Sequence, residues 1–170
     1  FLAPLLQKYD YKISFADKDE KLITELKSRK QYKAAITGSD AYEFVDVPVK
    51  DSFFQTEEKN IEQYDLVFSC VGPANCYDLS EEFKHARTLI SCENDLSTVK
   101  GLQELSGNRN IYFGIPDVIT SNTAPPELLK QDPLMTVTER GVLVLEKGNY
   151  QLPDEILHVE YEDLHMHWMC

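Results

Sequence analysis

The stretch Asp65-Leu66-Val67-Phe68-Ser69-Cys70-Val71-Gly72-Pro73 limits the possible folds more than any other part of the chain. Its apolar run, residues 66–70, mixes β-branched and aromatic side chains and is too short for a buried helix. Gly-Pro stops it, so it reads as a strand covered on both faces. Strands of that kind sit in parallel sheets, and open parallel sheets gather ligands just beyond the carboxyl ends of their strands. The turn Val71-Gly72-Pro73 therefore falls where a ligand belongs. Two further stretches share the design: Ile13-Ser14-Phe15-Ala16 runs into Asp17, and Thr88-Leu89-Ile90-Ser91-Cys92 runs into Glu93-Asn94.

Between these strands the pattern is helical. Residues 18–29 form a charged amphipathic helix with Leu22, Ile23 and Leu26 inward. Asp78 or Ser80 caps a helix ending near Ala86, and Ser97 caps another that carries Val99, Leu102 and Leu105 and closes at Gly107-Asn108. Residues 32–36 and 42–49 read as a hairpin or as two extended segments, and residues 111–113 as a short strand. Loop character prevails from 114 to 131. Residues 134–139 and 142–146 flank Arg140-Gly141 and look like an antiparallel pair, and residues 153–170 look helical. The alternation predicts an α/β fold, a doubly wound and mainly parallel sheet with an antiparallel extension near the carboxyl end.

Charge narrows the partners. Seventeen Lys and Arg stand against 29 Asp and Glu, and a net charge of -12 repels nucleic acid and anionic membrane surfaces. A small anion can still be held locally by backbone amides and helix N-termini. Without an apolar run long enough to span a bilayer or a charged-then-apolar leader, the expectation is no membrane and a cytoplasmic location. A length of 170 residues with 42% hydrophobic content suits one domain with a real core. Cys70, Cys76, Cys92 and Cys170 match no zinc or redox spacing, and a disulfide framework is not expected. Cys70 and Cys92 read as small hydrophobes in buried strands. His165 and His167 diverge by about 200° on a helix, so no metal site is expected with His158 and Cys170.

Asp17 could accept hydrogen bonds from an adenosine ribose, as an acid at a strand end does in dinucleotide-binding sheets, or could cap the next helix with Glu20 three positions on. Gly72-Pro73 gives either a close approach for a nucleotide or a plain strand-ending turn. Asn94, after Glu93, could donate to a substrate oxygen or cap a turn. Asp117, after Gly114-Ile115-Pro116, could orient a neighbouring group or cap a turn in the same way.

Taken together these segments resemble the nucleotide-binding domain of the mannitol-1-phosphate 5-dehydrogenase group of polyol-specific long-chain dehydrogenases. The matching pieces are Phe15-Ala16-Asp17, the helix leading to Lys30-Gln31-Tyr32, Asp65-Leu66-Val67 with Val71-Gly72-Pro73, Cys92-Glu93-Asn94, and Asp132-Pro133-Leu134 followed by Val137-Thr138-Glu139, in that order. The resemblance implies a Rossmann-like domain and an NAD-dependent enzyme that interconverts a sugar-alcohol phosphate, similar to mannitol 1-phosphate, and a ketose phosphate, similar to fructose 6-phosphate, by hydride transfer. Asp17 would hold the adenosine ribose. Val71, Gly72, Pro73 and Glu93 would border the cofactor, and Asn94 would polarise the substrate oxygen. Asp117 aligns with an Asp that the family follows with Arg, whereas Val118 follows here.

The same resemblance implies that residues 1–152 form the NAD domain without its first strand and glycine loop, and that residues 153–170 begin a helix leading to a substrate domain. The family's Lys-x-x-x-x-Asn-x-x-His helix would come after Cys170. A piece of that kind is expected to bind NAD weakly, to turn nothing over and to self-associate through uncovered strand edges. A non-catalytic nucleotide-binding or interaction domain of the same fold is the alternative.

Overall fold

In a computed structural model of the chain, the described residues are 11–28, 31–37, 42–48, 53–55, 60–93, 95–116, 119–121, 135–139, 143–152 and 158–161. In chain order the elements are β1 (Phe15–Asp17), α1 (Glu20–Ser28), β2 (Gln31–Thr37), β3 (Tyr42–Pro48), β4 (Phe53–Gln55), a 3-10 turn at Ile61–Gln63, β5 (Val67–Ser69), α2 (Pro73–Cys76), a 3-10 turn at Tyr77–Leu79, α3 (Ser80–Phe83), β6 (Leu89–Ser91), α4 (Leu96–Ser106), β7 (Ile111–Pro116), β8 (Ile119–Ser121), β9 (Met135–Glu139), β10 (Leu143–Glu146) and β11 (His158–Tyr161). They divide between two compact units, one made of Phe1–Lys59 and Val118–Gly141, the other of Asn60–Asp117 and Val142–Cys170.

In the first unit β1 and β4 pair in parallel, with Asp17 opposite Gln55. The hairpin read from the sequence forms: β2 and β3 run antiparallel from Gln31 opposite Pro48 to Thr37 opposite Tyr42. β9 adds to β2 in parallel, and β8 adds to β9 antiparallel, with a register shift between Ile119 and Thr120. In α1, Ile23 is buried while Leu22 is 38% exposed, so the buried stripe is narrower than the one read from the sequence.

The second unit is built on a five-stranded sheet in the order β11-β10-β7-β6-β5. β5, β6 and β7 are parallel, with Phe68, Ile90 and Tyr112 in one register row and Ser69, Ser91 and Phe113 in the next. All three residues of β6, which lies between β5 and β7, are buried, as a strand covered on both faces requires. One core cluster joins Leu89, Ile111 and Phe113 to Cys76, Phe83, Val99 and Leu102 from the helices. On the other face Gly114 lets Ile90 and Leu145 close over the strand: a Cβ there would stand 2.5 Å from Ile90 Cγ2.

Two sequence expectations fail in this sheet. Residues 134–139 and 142–146 do not pair. β9 belongs to the first unit, and β10 runs antiparallel to β7, with Leu143 opposite Pro116 and Leu145 opposite Gly114. The fully buried Leu143 and Leu145 gain more beside buried β7 than in an isolated hairpin. The helix expected over residues 153–170 gives way to a strand at His158–Tyr161, parallel to β10. There the unpaired edge of an apolar strand outweighs local propensity. His165, His167 and Cys170 lie outside the described residues.

The helix ends also differ from expectation. α4 is capped by Asp95, whose carboxylate accepts from the Ser97 amide at 3.0 Å and the Thr98 hydroxyl at 2.9 Å, and not by Ser97. Gly107 closes it in the left-handed conformation, φ 71, as expected. Its neighbour Asn108 reaches further. The Asn108 side-chain amide donates to the carbonyls of Phe83 and Ala86, both at 2.9 Å, and so closes the helical run that ends after α3.

Candidate functional site

In the second unit the carboxyl ends of β5 and β6 meet a buried carboxylate. Glu93, two residues past β6 and 6% exposed, accepts from the Ser69 hydroxyl at 2.5 Å and from the backbone amides of Val71 at 3.1 Å and Gly72 at 2.5 Å. The Cys76 thiol lies 3.8 Å from the same carboxylate. Alternation along β5 explains the arrangement. Ser69 turns inward from the last strand position, and Glu93 folds back across the strand gap to meet it. A buried carboxylate requires such donors, since without them it would have to be neutralised.

The turn itself is shaped by the sequence. Gly72 has φ 87, a conformation L side chains rarely adopt, and Pro73 follows at the first helical position, where its missing N–H costs nothing. Gly-Pro thus starts α2 as well as ending β5. The Asn75 side chain donates to the Val71 carbonyl at 2.8 Å, so both backbone polar groups of Val71 are held. Val71 and Pro73 present exposed surface at this edge. Burial, the largest effect on Cys76, pushes its thiol up to about 11, keeping it protonated beside the carboxylate.

Asp17 ends β1 in the first unit and is exposed. One of its carboxylate oxygens accepts from the Asp19 amide at 2.8 Å, a local turn. The helix cap is Asp19, which accepts from the amides of Lys21 at 2.9 Å and Leu22 at 3.1 Å. Asp17 therefore does not cap α1, contrary to the capping alternative.

Of the candidate residues, Val71, Gly72, Pro73 and Glu93 come together at one sheet edge, and Asp17 stands at the end of another strand. Asn94 and Asp117 lie outside the described residues. Ser69 and Asn75 are the groups that sequence reasoning missed. A serine at the last inward position of an apolar strand was the available signal for the first. Among the described residues no group of three or more His, Cys, Asp or Glu is placed to hold a metal ion. Nor is any helix among them long and apolar enough to cross a membrane.

A mainly parallel sheet with helices, one antiparallel junction, and a glycine turn at its carboxyl edge together define a Rossmann-like α/β fold. Among solved structures the chain is similar to a protein from Enterococcus faecalis assigned as a 2-dehydropantoate 2-reductase, with a TM-score of 0.64 and 12% identity over 98% of this chain and 54% of that one. It is also similar to octopine dehydrogenase in a structure with NADH and L-arginine, with a TM-score of 0.63 and 11% identity over 88% of this chain and 41% of that one. The chain thus spans about half the length of these proteins. No protein-family model and no curated protein matches it.

Proposed function

We propose that the chain supplies the dinucleotide-binding portion of an NAD-dependent oxidoreductase that interconverts a sugar-alcohol phosphate and a ketose phosphate. The observation that carries this proposal is the Glu93-held turn Val71-Gly72-Pro73 at the carboxyl edge of β5 and β6, in a fold shared with dehydrogenases. The ordered segments that resemble the mannitol-1-phosphate dehydrogenases supply the substrate class.

The residues present fit a dinucleotide in two ways. Gly72 has no side chain to hold a ligand off, and the turn is fixed before any ligand arrives, which lowers the entropy cost of binding. Glu93 already occupies the amides of Val71 and Gly72, so this turn offers no cradle for phosphate. Its negative charge instead suits the ribose hydroxyls, which can donate, and the nicotinamide ring, which is cationic in the oxidised cofactor. Glu93 is therefore a positioning residue, and Val71 and Pro73 form the contact surface. Asp17 would accept from the adenosine ribose hydroxyls and repel a phosphate in their place, which favours NAD over NADP. Asn94 would donate to the reacting substrate oxygen, and Asp117 would orient a neighbouring group. Bound NAD supplies the hydride acceptor.

The test is binding and turnover in the native full-length protein. Titration with NADH and NADPH should show tighter NADH binding, and mannitol 1-phosphate should give NADH when NAD is supplied. Asp17→Ala should weaken NADH about tenfold, a loss of roughly 1.4 kcal/mol, and narrow the gap to NADPH. Unchanged affinity in that variant would remove Asp17 from the site. Tight NADH binding without turnover of any polyol or polyol phosphate would leave the non-catalytic alternative standing.

A further inference from the structure

The strands that carry the Glu93 turn also bring two sulfurs together. Ser69 and Ser91 are register partners in parallel β5 and β6, and both are buried. The Cys92 amide donates to the Ser69 carbonyl at 2.9 Å, so the pairing continues past the strand ends. Side chains alternate between faces, so Cys70 and Cys92 leave the sheet together on the face opposite the two serines. Adjacent strands lie about 4.8 Å apart, within the roughly 4.4–6.8 Å Cα separation that a disulfide spans. Gly114 leaves room beside them, since a Cβ there would lie 3.4 Å from Cys92 Sγ. Both cysteines are unbridged, Cys70 exposed and Cys92 half-buried, so Cys70 is not the buried small hydrophobe its strand pattern suggested.

We propose that Cys70 and Cys92 are a reversible thiol–disulfide pair at the sheet edge, oxidised by peroxides, with Cys70 the attacking sulfur and Cys92 the resolving one. Its asymmetry has a physical cause. Cys70 is exposed to an incoming peroxide whereas Cys92 is half-buried, and the neighbouring Cys92 draws the Cys70 thiol below its ordinary value while Cys70 and burial push the Cys92 thiol up. The Cys70 thiolate attacks one peroxide oxygen, the O–O bond breaks, and the departing hydroxide takes a proton to become water. Cys70 is then a sulfenic acid. The Cys92 sulfur attacks the Cys70 sulfur, the S–S bond forms as the S–O bond breaks, and hydroxide leaves with the Cys92 proton as a second water. Two electrons pass from the two sulfurs to the peroxide. Cys76 is no substitute, because it is buried on the Ser69 face and its thiol is pushed up to about 11.

Peptide mapping of the intact chain after stoichiometric hydrogen peroxide tests this pair. The expected product joins Cys70 to Cys92 and is released by dithiothreitol. Cys70→Ser should give no cross-link, and Cys92→Ser should accumulate a Cys70 sulfenic acid that dimedone traps. At neutral pH Cys70 should alkylate at least about tenfold faster than Cys76. The proposal is overturned if Cys70 and Cys92 both remain alkylatable after peroxide, if Cys70 proceeds to sulfinic acid without a cross-link, or if the cross-link runs through Cys76.

Discussion

Replacing Glu93 by Gln tests the energetics of the turn with little change of shape. In the native protein one carboxylate accepts from the Ser69 hydroxyl and the amides of Val71 and Gly72. Glutamine keeps one acceptor oxygen, which can serve Ser69 and Val71, but its NH2 group would face the Gly72 N–H, donor against donor. A partly buried N–H without an acceptor costs about 1–3 kcal/mol, and the two surviving bonds lose charge assistance of roughly 1 kcal/mol each. Relief from burying a charge offsets part of this, leaving a net loss of about 2–3 kcal/mol. For a chain of this size that is a fall in melting temperature of roughly 5–10 °C. Thermal unfolding by circular dichroism reads the total, and amide hydrogen exchange at Val71 and Gly72 reads the local part. Ser69→Ala, alone and combined with Glu93→Gln, should give a coupling of about 1 kcal/mol. Melting within about 1 °C of the parent, or strictly additive single variants, would show that Glu93 does not hold the turn.

Two glycines separate close approach from mere proximity. Gly114→Ala sets a methyl against Ile90 and Leu145, both fully buried, and should cost about 1–3 kcal/mol in urea unfolding; Gly101→Ala meets first the partly exposed Tyr77 ring, which can swing, and should be near neutral. At the N-terminus of α4, hydrogen bonds from Ser97 and then Thr98 hold the Asp95 carboxyl below its ordinary value. Its stabilisation is therefore present above the unfolded carboxylate pKa of about 3.9 and lost as pH falls through the lower folded value. Asp95→Asn, which still caps, should flatten that part of an acid unfolding curve, and an unaltered curve would count against the cap's charge.

What was legible in the sequence was local. Leu89-Ile90-Ser91 and Val67-Phe68-Ser69 announce themselves as buried strands through composition and length, and Gly107 announces a helix end through its lack of a Cβ. What was hidden was pairing across long separations. Arg140-Gly141 looked like a hairpin turn because nothing in the sequence shows that Leu143 and Leu145 meet β7. His158-Val159-Glu160-Tyr161 mixes polar and apolar residues in a way that suits a helix or a strand, and the free edge of β10 decides. At the site, Val71-Gly72-Pro73 was found by its position after a strand. The return of Glu93 to the turn's own amides was not, since it depends on two strand ends lying side by side. Pro73 read as a stop because its tolerance at a helix start is visible only once the preceding glycine is seen to turn the chain.

The amide of Asn108 has a dynamic consequence. α3, Ser80–Phe83, is a single turn whose N-cap position, Leu79, offers no side-chain cap bond, and so short a helix cannot persist alone in water. Its final carbonyls are closed by a side chain that stands just beyond α4, where Gly107 turns the chain back. The two segments should therefore open and close as one cooperative block, with the amides of Lys84 and Ala86 sharing the opening free energy of that of Gly107 once intrinsic exchange rates are divided out. In Asn108→Ala the two opening free energies should part, the amides after α3 losing protection while the end of α4 keeps its own.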